Sequence, residues 1–193
     1  MLPTRDEAMA LLRDGLSNNP GPWGKHSLTA AHCAEKIAAA CGDMDAEKAY
    51  VLGLLHDIGR KFGVRHLGHV SDGYRFMMSL GYDEAAKICL THSFNNHTVD
   101  EYIGKLDVSD EEMKMIKTEL ARIVYDDYDR LIQLCDSLAG AEGVLDIEDR
   151  MNDVKKRYGF YPQDKWDSNM RLKQYFEKLS LIHISEPTRL RCI

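Results

Sequence analysis

The sequence predicts an all-α protein on three observations. Apolar residues recur at helical spacing along nearly the whole chain. Several of these segments begin with a residue that caps helices and end at a glycine. No stretch of useful length shows the alternation of apolar and polar residues that is typical of strands. We therefore expect helices joined by short turns.

The predicted helices of the N-terminal half follow one another with short breaks. Thr4 and Glu7 form a capping box before the first helix, which the stretch SNNPGPWG ends. A second helix stops at Gly42, and Asp45 is the N-cap of a third. The helices after the first are expected over 26–40, from 45 to near 56–59, over 66–80 and over 83–92.

A polar stretch separates these helices from the C-terminal ones. Residues 93–108 are predicted to form a loop with a turn or two. Ser109 and Glu112 form a second capping box, which opens a helix that reaches residue 125. The last helices are expected over 128–139, 147–158 and 164–178. No internal repeat and no linker divides the chain, so we expect a single domain over 1–178.

Composition limits the partners that this domain can have. Of its 193 residues, 44% are hydrophobic, and the formal net charge is -6 with scattered lysines and arginines. This balance argues against nucleic acid as the main partner, because phosphate backbones bind basic surfaces. A small phosphorylated substrate needs only a few local cations and stays compatible with the sequence.

The sequence also predicts a cytoplasmic protein without a membrane partner. The N-terminal stretch MLPTRDEAMALLRDG carries acidic residues where a signal peptide would be apolar. No apolar run reaches the ~18 residues of a membrane span. The five cysteines show no CxxC pair and no framework spacing, which indicates reduced thiols.

The C-terminal stretch LSLIHISEPTRLRCI, residues 179–193, breaks the helical pattern. Its first eleven residues resemble the translated read-through end of a common transposase sequencing-library adapter. We therefore expect residues 179–193 to be a non-native tail and exclude them from the fold. His183 and Cys192 are not candidates for a site.

The stretch VLGLLHDIGR, residues 51–60, places an imidazole and a carboxylate at the end of the most apolar helix. Burying either group without a partner costs several kcal/mol, and an ionised carboxylate costs more. His56 and Asp57 therefore need a compensating group. Gly59, two residues later, is expected to let the chain turn away.

Four histidines and two aspartates, which come from five helices, are candidates for that compensation. Several of them lie at helix ends, where side chains can converge; they are His26, His56, Asp57, His69, His92 and Asp136. Divalent Zn, Mn, Fe, Co, Ni or Mg can take such a mixed nitrogen and oxygen set. A metal would neutralise Asp57 and accept the lone pair of His56.

The order of these residues also resembles a known family. His26, then LLHDIG, then Asp136 in LIQLCDSLA, with the flanking stretches HSLTAAHCAEKIA and AYVLGLLHDIGR, is similar to the HD-domain superfamily of metal-dependent phosphohydrolases. The similarity spans residues 22–140. It implies a compact helical bundle with a central metal site, and hydrolysis of a phosphate ester or anhydride. It also implies that His26, His56, Asp57 and Asp136 are metal ligands.

The resemblance leaves the number of ions open. His69 and His92 stand where some HD families carry ligands of a second metal, in which case Asp57 would bridge the two ions. His66, three positions before His69, shares its helix face and is an alternative ligand. Asp129, seven positions before Asp136, is the corresponding alternative to Asp136. His32 is expected to be structural and His97 to be exposed to solvent.

The predicted chemistry follows from general metal chemistry. A metal lowers the pKa of bound water, and the resulting hydroxide would attack phosphorus, with Asp57 placed to position or accept the proton. Arg60 and Lys61 would hold phosphate charge, and Arg65 and Lys25 are further candidates. The alternatives are a di-iron oxygenase of the HD type and a non-catalytic sensing or scaffold module pinned by its metal.

Overall fold

The computed structural model describes residues 1–181. Nine α-helices form this part of the chain: α1 (Arg5–Asn18), α2 (Trp23–Cys41), α3 (Ala46–Leu55), α4 (Gly68–Ser79), α5 (Asp83–Thr91), α6 (Asp110–Arg122), α7 (Asp127–Leu138), α8 (Ile147–Tyr158) and α9 (Gln163–Ser180). Two 3-10 helices span Ile58–Phe62 and Val99–Glu101. A two-residue strand β1 (Ala139–Gly140) pairs antiparallel with β2 (Gly143–Val144). The all-α prediction is confirmed.

Local sequence signals fixed most helix starts. Both predicted capping boxes are present, and Asp126 with Asp129 forms a third before α7. Helix α2 begins three residues earlier than expected, because Pro22 takes the N-cap position. Helix α6 ends at Arg122 and not near residue 125, since Ile123 is already extended. None of the described helices is long and apolar enough to cross a membrane.

The expected tail falls almost entirely outside the described residues. Leu179 and Ser180 complete α9, so the helix runs two residues past the predicted end of the domain. Residues 182–193 lie outside the described part of the chain, and the tail assignment stays a prediction there. The four cysteines within the described part are buried free thiols.

Helix α3 lies at the centre of the fold. Every residue from Ala49 to Gly59 is buried, so the apolar end of α3 carries His56 and Asp57 into the interior. Burying side chains such as Leu54 and Leu55 contributes roughly 1.5–3 kcal/mol each. Helices α2 and α3 approach closely at Gly53, where a Cβ would lie 2.8 Å from the Cα of Ala31.

Gly59 has a different role from the one expected. It does not turn the chain, because it lies inside the 3-10 helix with no positive φ. Instead it lets this helix contact α4 directly. A Cβ on Gly59 would lie 1.9 Å from the carbonyl oxygen of His69 and 2.5 Å from the backbone nitrogen of Gly73. The glycine therefore sets the distance between the segments that carry Asp57 and His69.

Replacing Gly59 with alanine should lower the free energy of unfolding by about 3 kcal/mol or more, because backbone atoms cannot rotate away from the new methyl group. Gly81→Ala is the control. No atom lies within 4 Å of its Cβ, so the only cost is the strain of a side chain at a φ of 77°, which is roughly 1–2 kcal/mol. Chemical denaturation measures both losses, and a Gly59→Ala loss no larger than that of Gly81→Ala would contradict the close-approach role.

Candidate metal centre

The structure brings all six candidate ligands to one place. His56 caps the C-terminus of α3, and Asp57 follows it at the start of the 3-10 helix. The other four project from the surrounding helices: His26 from α2, His69 from α4, His92 from the end of α5 and Asp136 from α7. His56, Asp57, His69 and His92 are buried, whereas His26 and Asp136 are half-buried. All of the six except His56 line a cavity.

The first half of the cluster gathers His26, His56 and Asp136. Nε2 of His26 lies 3.2 Å from Nε2 of His56 and 2.9 Å from Oδ1 of Asp136. Nε2 of His56 lies 3.6 Å from Oδ1 of Asp136 and 3.8 Å from Oδ2 of Asp57. These atoms form a compact set of nitrogen and oxygen donors.

The second half gathers His69 and His92 around the other oxygen of Asp57. Oδ1 of Asp57 lies 3.1 Å from Nε2 of His69 and 3.7 Å from Nε2 of His92. The two Nε2 atoms are 3.2 Å apart. His26, His56 and Asp57 form one group with donor atoms within 4.8 Å of one another, and Asp57, His69 and His92 form another. Asp57 belongs to both groups.

Backbone carbonyls orient all four imidazole rings. The outer nitrogen Nδ1 of each histidine faces a carbonyl oxygen: Ala139 at 3.1 Å for His26, Gly53 at 2.7 Å for His56, His66 for His69, and Cys89 at 3.0 Å for His92. A carbonyl only accepts, so Nδ1 carries the proton and donates. In the neutral rings the lone pair of Nε2 therefore points into the cluster, as it does in metal-binding histidines.

Two features of the cluster fit a bound cation. When the rings are neutral, two Nε2 lone pairs 3.2 Å apart cannot hydrogen-bond to each other, but they match neighbouring ligands of one ion at about 2.0–2.1 Å. Oδ1 of Asp57 is also buried without a hydrogen-bond partner within residues 1–181. An ionised oxygen left in this state costs several kcal/mol, and coordination would remove that cost.

The two aspartates of the cluster carry the negative charge that metal ligands need. Burial acts to raise the pKa of Asp57, but Arg60, His56 and His69 hold it well below its usual value. Burial likewise opposes ionisation of Asp136, whose pKa is held well below the usual value by His26 and His56. Both carboxylates are therefore ionised at neutral pH.

Two of the histidines differ in protonation. Burial is the main reason that the pKa of His92 falls to about 3, so this ring is neutral. Burial also acts on His56, but Asp57 and Asp136 outweigh it and raise its pKa. A metal would displace the His56 proton, which makes metal binding dependent on pH.

The predicted cations divide into one at the cluster and several elsewhere. Nε of Arg60 donates to Oδ2 of Asp57 at 2.6 Å, and Arg60 lines the cavity. Lys61 is not brought to the cluster: its ammonium group pairs with Asp14 at 2.7 Å and lies 4.1 Å from the ring centre of Phe76. Of these two predicted residues, the structure therefore brings only Arg60 to the cluster.

The two further cation candidates are already paired. Arg65 lines the cavity, but its guanidinium group binds Asp72 at 2.8 Å and Glu112 at 3.2 Å. Lys25 lies at the surface and pairs with Glu142 at 3.0 Å. Arg65 is thus occupied by two carboxylates, and Lys25 lies outside the cavity wall.

The structure also separates the alternatives that spacing left open. His69 faces the cluster, whereas His66 contributes its carbonyl oxygen to His69. Asp129 is occupied elsewhere, since it accepts hydrogen bonds from Thr91 at 2.8 Å and Lys87 at 2.7 Å. His97 is exposed and stacks on Tyr125, as its loop position predicted.

His32 lies away from the cluster, as expected. Its ring packs against Tyr50, and Nδ1 is 3.4 Å from a carboxylate oxygen of Glu35. It is therefore a suitable reference for the histidines of the cluster.

A cavity of about 600 Å³ opens onto the cluster, and helices α8 and α9 form one of its walls. Sequence patterns did not predict this wall, which includes Arg150, Arg157, Tyr158, Tyr161 and Lys165. The only sequence signal is the run of basic and aromatic residues in KKRYGFYPQDKW. Nε of Arg150 donates to the carbonyl of Ala139 at 3.2 Å, the same oxygen that accepts from His26.

The fold and the cluster define an all-α protein with His/Asp groups that can hold divalent metal. A family model described as HD domain matches residues 23–141. The chain therefore belongs to the HD-domain superfamily of metal-dependent phosphohydrolases. The order of its histidines and aspartates had implied this membership. No curated protein and no solved structure matches the chain. The matched range contains all six candidate ligands and excludes α8 and α9.

Replacing His92 with glutamine should flatten the pH dependence of stability of the metal-free protein. The pKa of His92 is about 3 when folded, against 6.5 for an unperturbed histidine. Between these values the unfolded chain binds a proton that the folded chain does not. Stability present above pH 6.5 is therefore lost as the pH falls, by up to about 1.4 kcal/mol per pH unit.

Urea unfolding in the presence of a chelator, at several pH values between 5 and 7.5, measures this slope. His32→Gln is the control, because it removes a histidine whose side chain is 40% exposed. This variant should keep the slope of the wild-type protein. Equal slopes in the wild-type protein and His92→Gln would show that His92 is not held neutral by the fold.

Proposed function

We propose that this protein is a phosphohydrolase that cleaves a phosphate ester or anhydride of a small molecule, with two divalent ions on either side of Asp57. One observation carries the proposal. Two groups of metal-ligating atoms share Asp57, and the Oδ1 atom of this residue is buried without a hydrogen bond in the described chain. A single ion would leave one of the two groups without compensation.

The ligands divide between the two proposed ions by distance. His26, His56 and Asp136 lie together, and Oδ2 of Asp57 approaches this group at His56. These residues would give four donor atoms to one ion. His69 and His92 lie with Oδ1 of Asp57, which gives three donors to the other. A site with three protein ligands keeps an open position for water or substrate, as catalytic metal sites do.

Bound divalent ions supply a water of lowered pKa and neutralise charge on a phosphoryl group. The chain itself would hold the phosphoryl oxygens through Arg60. Nε of Arg60 is used by Asp57, but its two Nη atoms form no hydrogen bond within residues 1–181 and stand at the cavity. A guanidinium group with two free donors suits bidentate binding of phosphate.

The cavity supports a small substrate. Its volume of about 600 Å³ falls in the range of small-molecule sites, about 300–1,000 Å³. Tyr102, Tyr158 and Tyr161 line it and offer aromatic surface for an organic group, so nucleotides are the first compounds to test. A concave site and a net charge of -6 also favour a small molecule over nucleic acid.

The proposal predicts two ions per chain after loading with Mn²⁺ and removal of the excess. His26→Ala and His69→Ala should each hold one ion, because each removes a ligand from one group only. Asp57→Asn should hold less than one, since it weakens both groups. His97→Ala, which removes an exposed histidine outside the cluster, should keep two.

Elemental analysis of the purified variants measures these contents. One ion in the wild-type protein, or two in His69→Ala, would overturn the assignment of two ions. A tight single ion without any phosphate release would favour the scaffold alternative.

Phosphate release tests the reaction itself. With Mn²⁺, Co²⁺, Ni²⁺, Fe²⁺, Zn²⁺ or Mg²⁺, the wild-type protein should release phosphate from at least one member of a nucleotide panel, and Asp57→Ala should release none. Arg60→Met should lower kcat/KM by about 100-fold with its metal content retained. Arg122→Met, at an exposed arginine that pairs with Glu119, is the control and should match the wild-type protein.

Release that persists in Asp57→Ala would assign the activity to a contaminant. Bound iron with substrate-dependent oxygen uptake, and no phosphate release, would instead support the di-iron oxygenase.

A further inference from the structure

We propose that Lys165 binds a second anionic group of the substrate, so that the site selects small molecules carrying a phosphate and another negative charge. This inference rests on the proposed function, because it names the substrate class of the same cavity. Lys165 lies in the first turn of α9, beyond the part of the chain that matches the HD domain. It lines the cavity onto which the metal cluster opens.

Lys165 is held next to the cluster by neutral partners. Its ammonium group donates to the carbonyl oxygen of Ser93 at 2.7 Å and to Oδ1 of Asn95 at 3.2 Å. Ser93 follows the candidate ligand His92 and also lines the cavity. An ammonium group has three donors, so one N–H remains for a ligand.

Lys165 differs in its charge balance from the other cations of the cavity. Each of those has a carboxylate partner: Arg60 has Asp57 at 2.6 Å, Arg65 has Asp72 at 2.8 Å, and Arg150 and Arg157 have Asp153 at 3.4 and 3.0 Å. Lys165 forms no ion pair within residues 1–181. Its side chain is half-buried. Partial removal of a cation from water without a counter-ion is costly, and an anionic ligand would compensate for that cost.

The electrostatic surroundings of Lys165 also favour binding of an anion. Burial lowers the pKa of Lys165, while Glu101 and Asp136 act in the opposite direction from a distance. If divalent ions neutralise Asp136, less negative charge remains near the ammonium group. Binding of an anion to the Lys165 ammonium group then becomes more favourable.

A buried polar network fixes α9 against the cluster. Asn169, which is fully buried, accepts from Asn95 at 2.7 Å and from Ser137 at 3.2 Å, and it donates to Tyr161 at 2.8 Å. Ser137 follows the candidate ligand Asp136. The network therefore holds Lys165 in place relative to both halves of the cluster before any substrate binds, which lowers the entropic cost of binding.

These contacts define the class of substrate. A phosphoryl group would lie at the ions and Arg60, and a second phosphate or a carboxylate of the same molecule would reach Lys165. A neutral alcohol at that position would leave the ammonium group without its counter-ion. Substrates with one charged group should thus bind more weakly than those with two.

Binding of non-hydrolysable phosphonates to the full-length Mn²⁺-loaded protein tests the inference. The probes are phosphonoacetate, 3-phosphonopropionate and 4-phosphonobutyrate, each paired with an alkylphosphonate of similar length, and calorimetry gives the Kd values. At least one carboxylate-bearing probe should bind tenfold more tightly than its alkyl partner. Lys165→Met should abolish that preference and change alkylphosphonate affinity less than twofold, whereas Lys165→Arg should retain it.

Lys105→Met, at an exposed lysine outside the cavity wall, is the matched control and should behave as the wild-type protein. Metal content and thermal unfolding establish that Lys165→Met is folded and loaded. If that variant does not fold, the preference of the wild-type protein and of Lys165→Arg decides the question.

The inference is overturned if no carboxylate-bearing probe is preferred, if no phosphonate binds, or if Lys165→Met keeps the preference. The proposed function fails separately. Selective binding without phosphate release from any nucleotide would retain the Lys165 site and reject hydrolysis. Phosphate release without a carboxylate preference would do the reverse.

Discussion

The burial of an ionised carboxylate at the end of an apolar helix is the constraint on which this structure depends. Asp57 is almost completely buried, yet its pKa stays far below the usual value. Its Oδ2 atom is compensated by Arg60, while Oδ1 has imidazole nitrogens nearby and no hydrogen bond in the described chain. Removing such a charge from water is so costly that the surrounding helices must deliver positive charge to it. The convergence of four histidines from separate helices has this physical origin.

Close contact between backbone segments places the histidines around Asp57. Gly53 brings α3 against Ala31, and Gly59 brings the 3-10 helix against the carbonyl of His69. Backbone carbonyls then fix the histidine rings, so the donor atoms are held in position by the main chain and not by flexible side chains. Such a preformed site has little ordering entropy left to lose when a ligand binds.

The ligand set and the cavity wall come from different parts of the chain. The six residues of the cluster lie within the HD domain match, whereas α8 and α9 follow it. Asn169 joins the two parts, because it contacts Ser137 beside Asp136 and also Asn95, which accepts a hydrogen bond from Lys165. The matched part thus supplies the residues suited to metal chemistry. The C-terminal helices supply basic and aromatic side chains to the wall of the cavity.

The sequence by itself determined the helical class, most helix starts and the set of candidate ligands, because these depend on local signals. Capping boxes at Thr4 and Ser109 act within one turn, and a histidine beside an aspartate in an apolar segment already demands a partner. Only the tertiary structure decided which neighbours face the cluster. Arg60 and Lys61 are adjacent, but they leave a 3-10 helix about 120° apart, so packing against α1 and α4 sends only Arg60 to Asp57. The same reason applies to Lys165: a side chain at the start of a distant helix reaches the site only because α9 packs against α7, and no local pattern encodes that crossing.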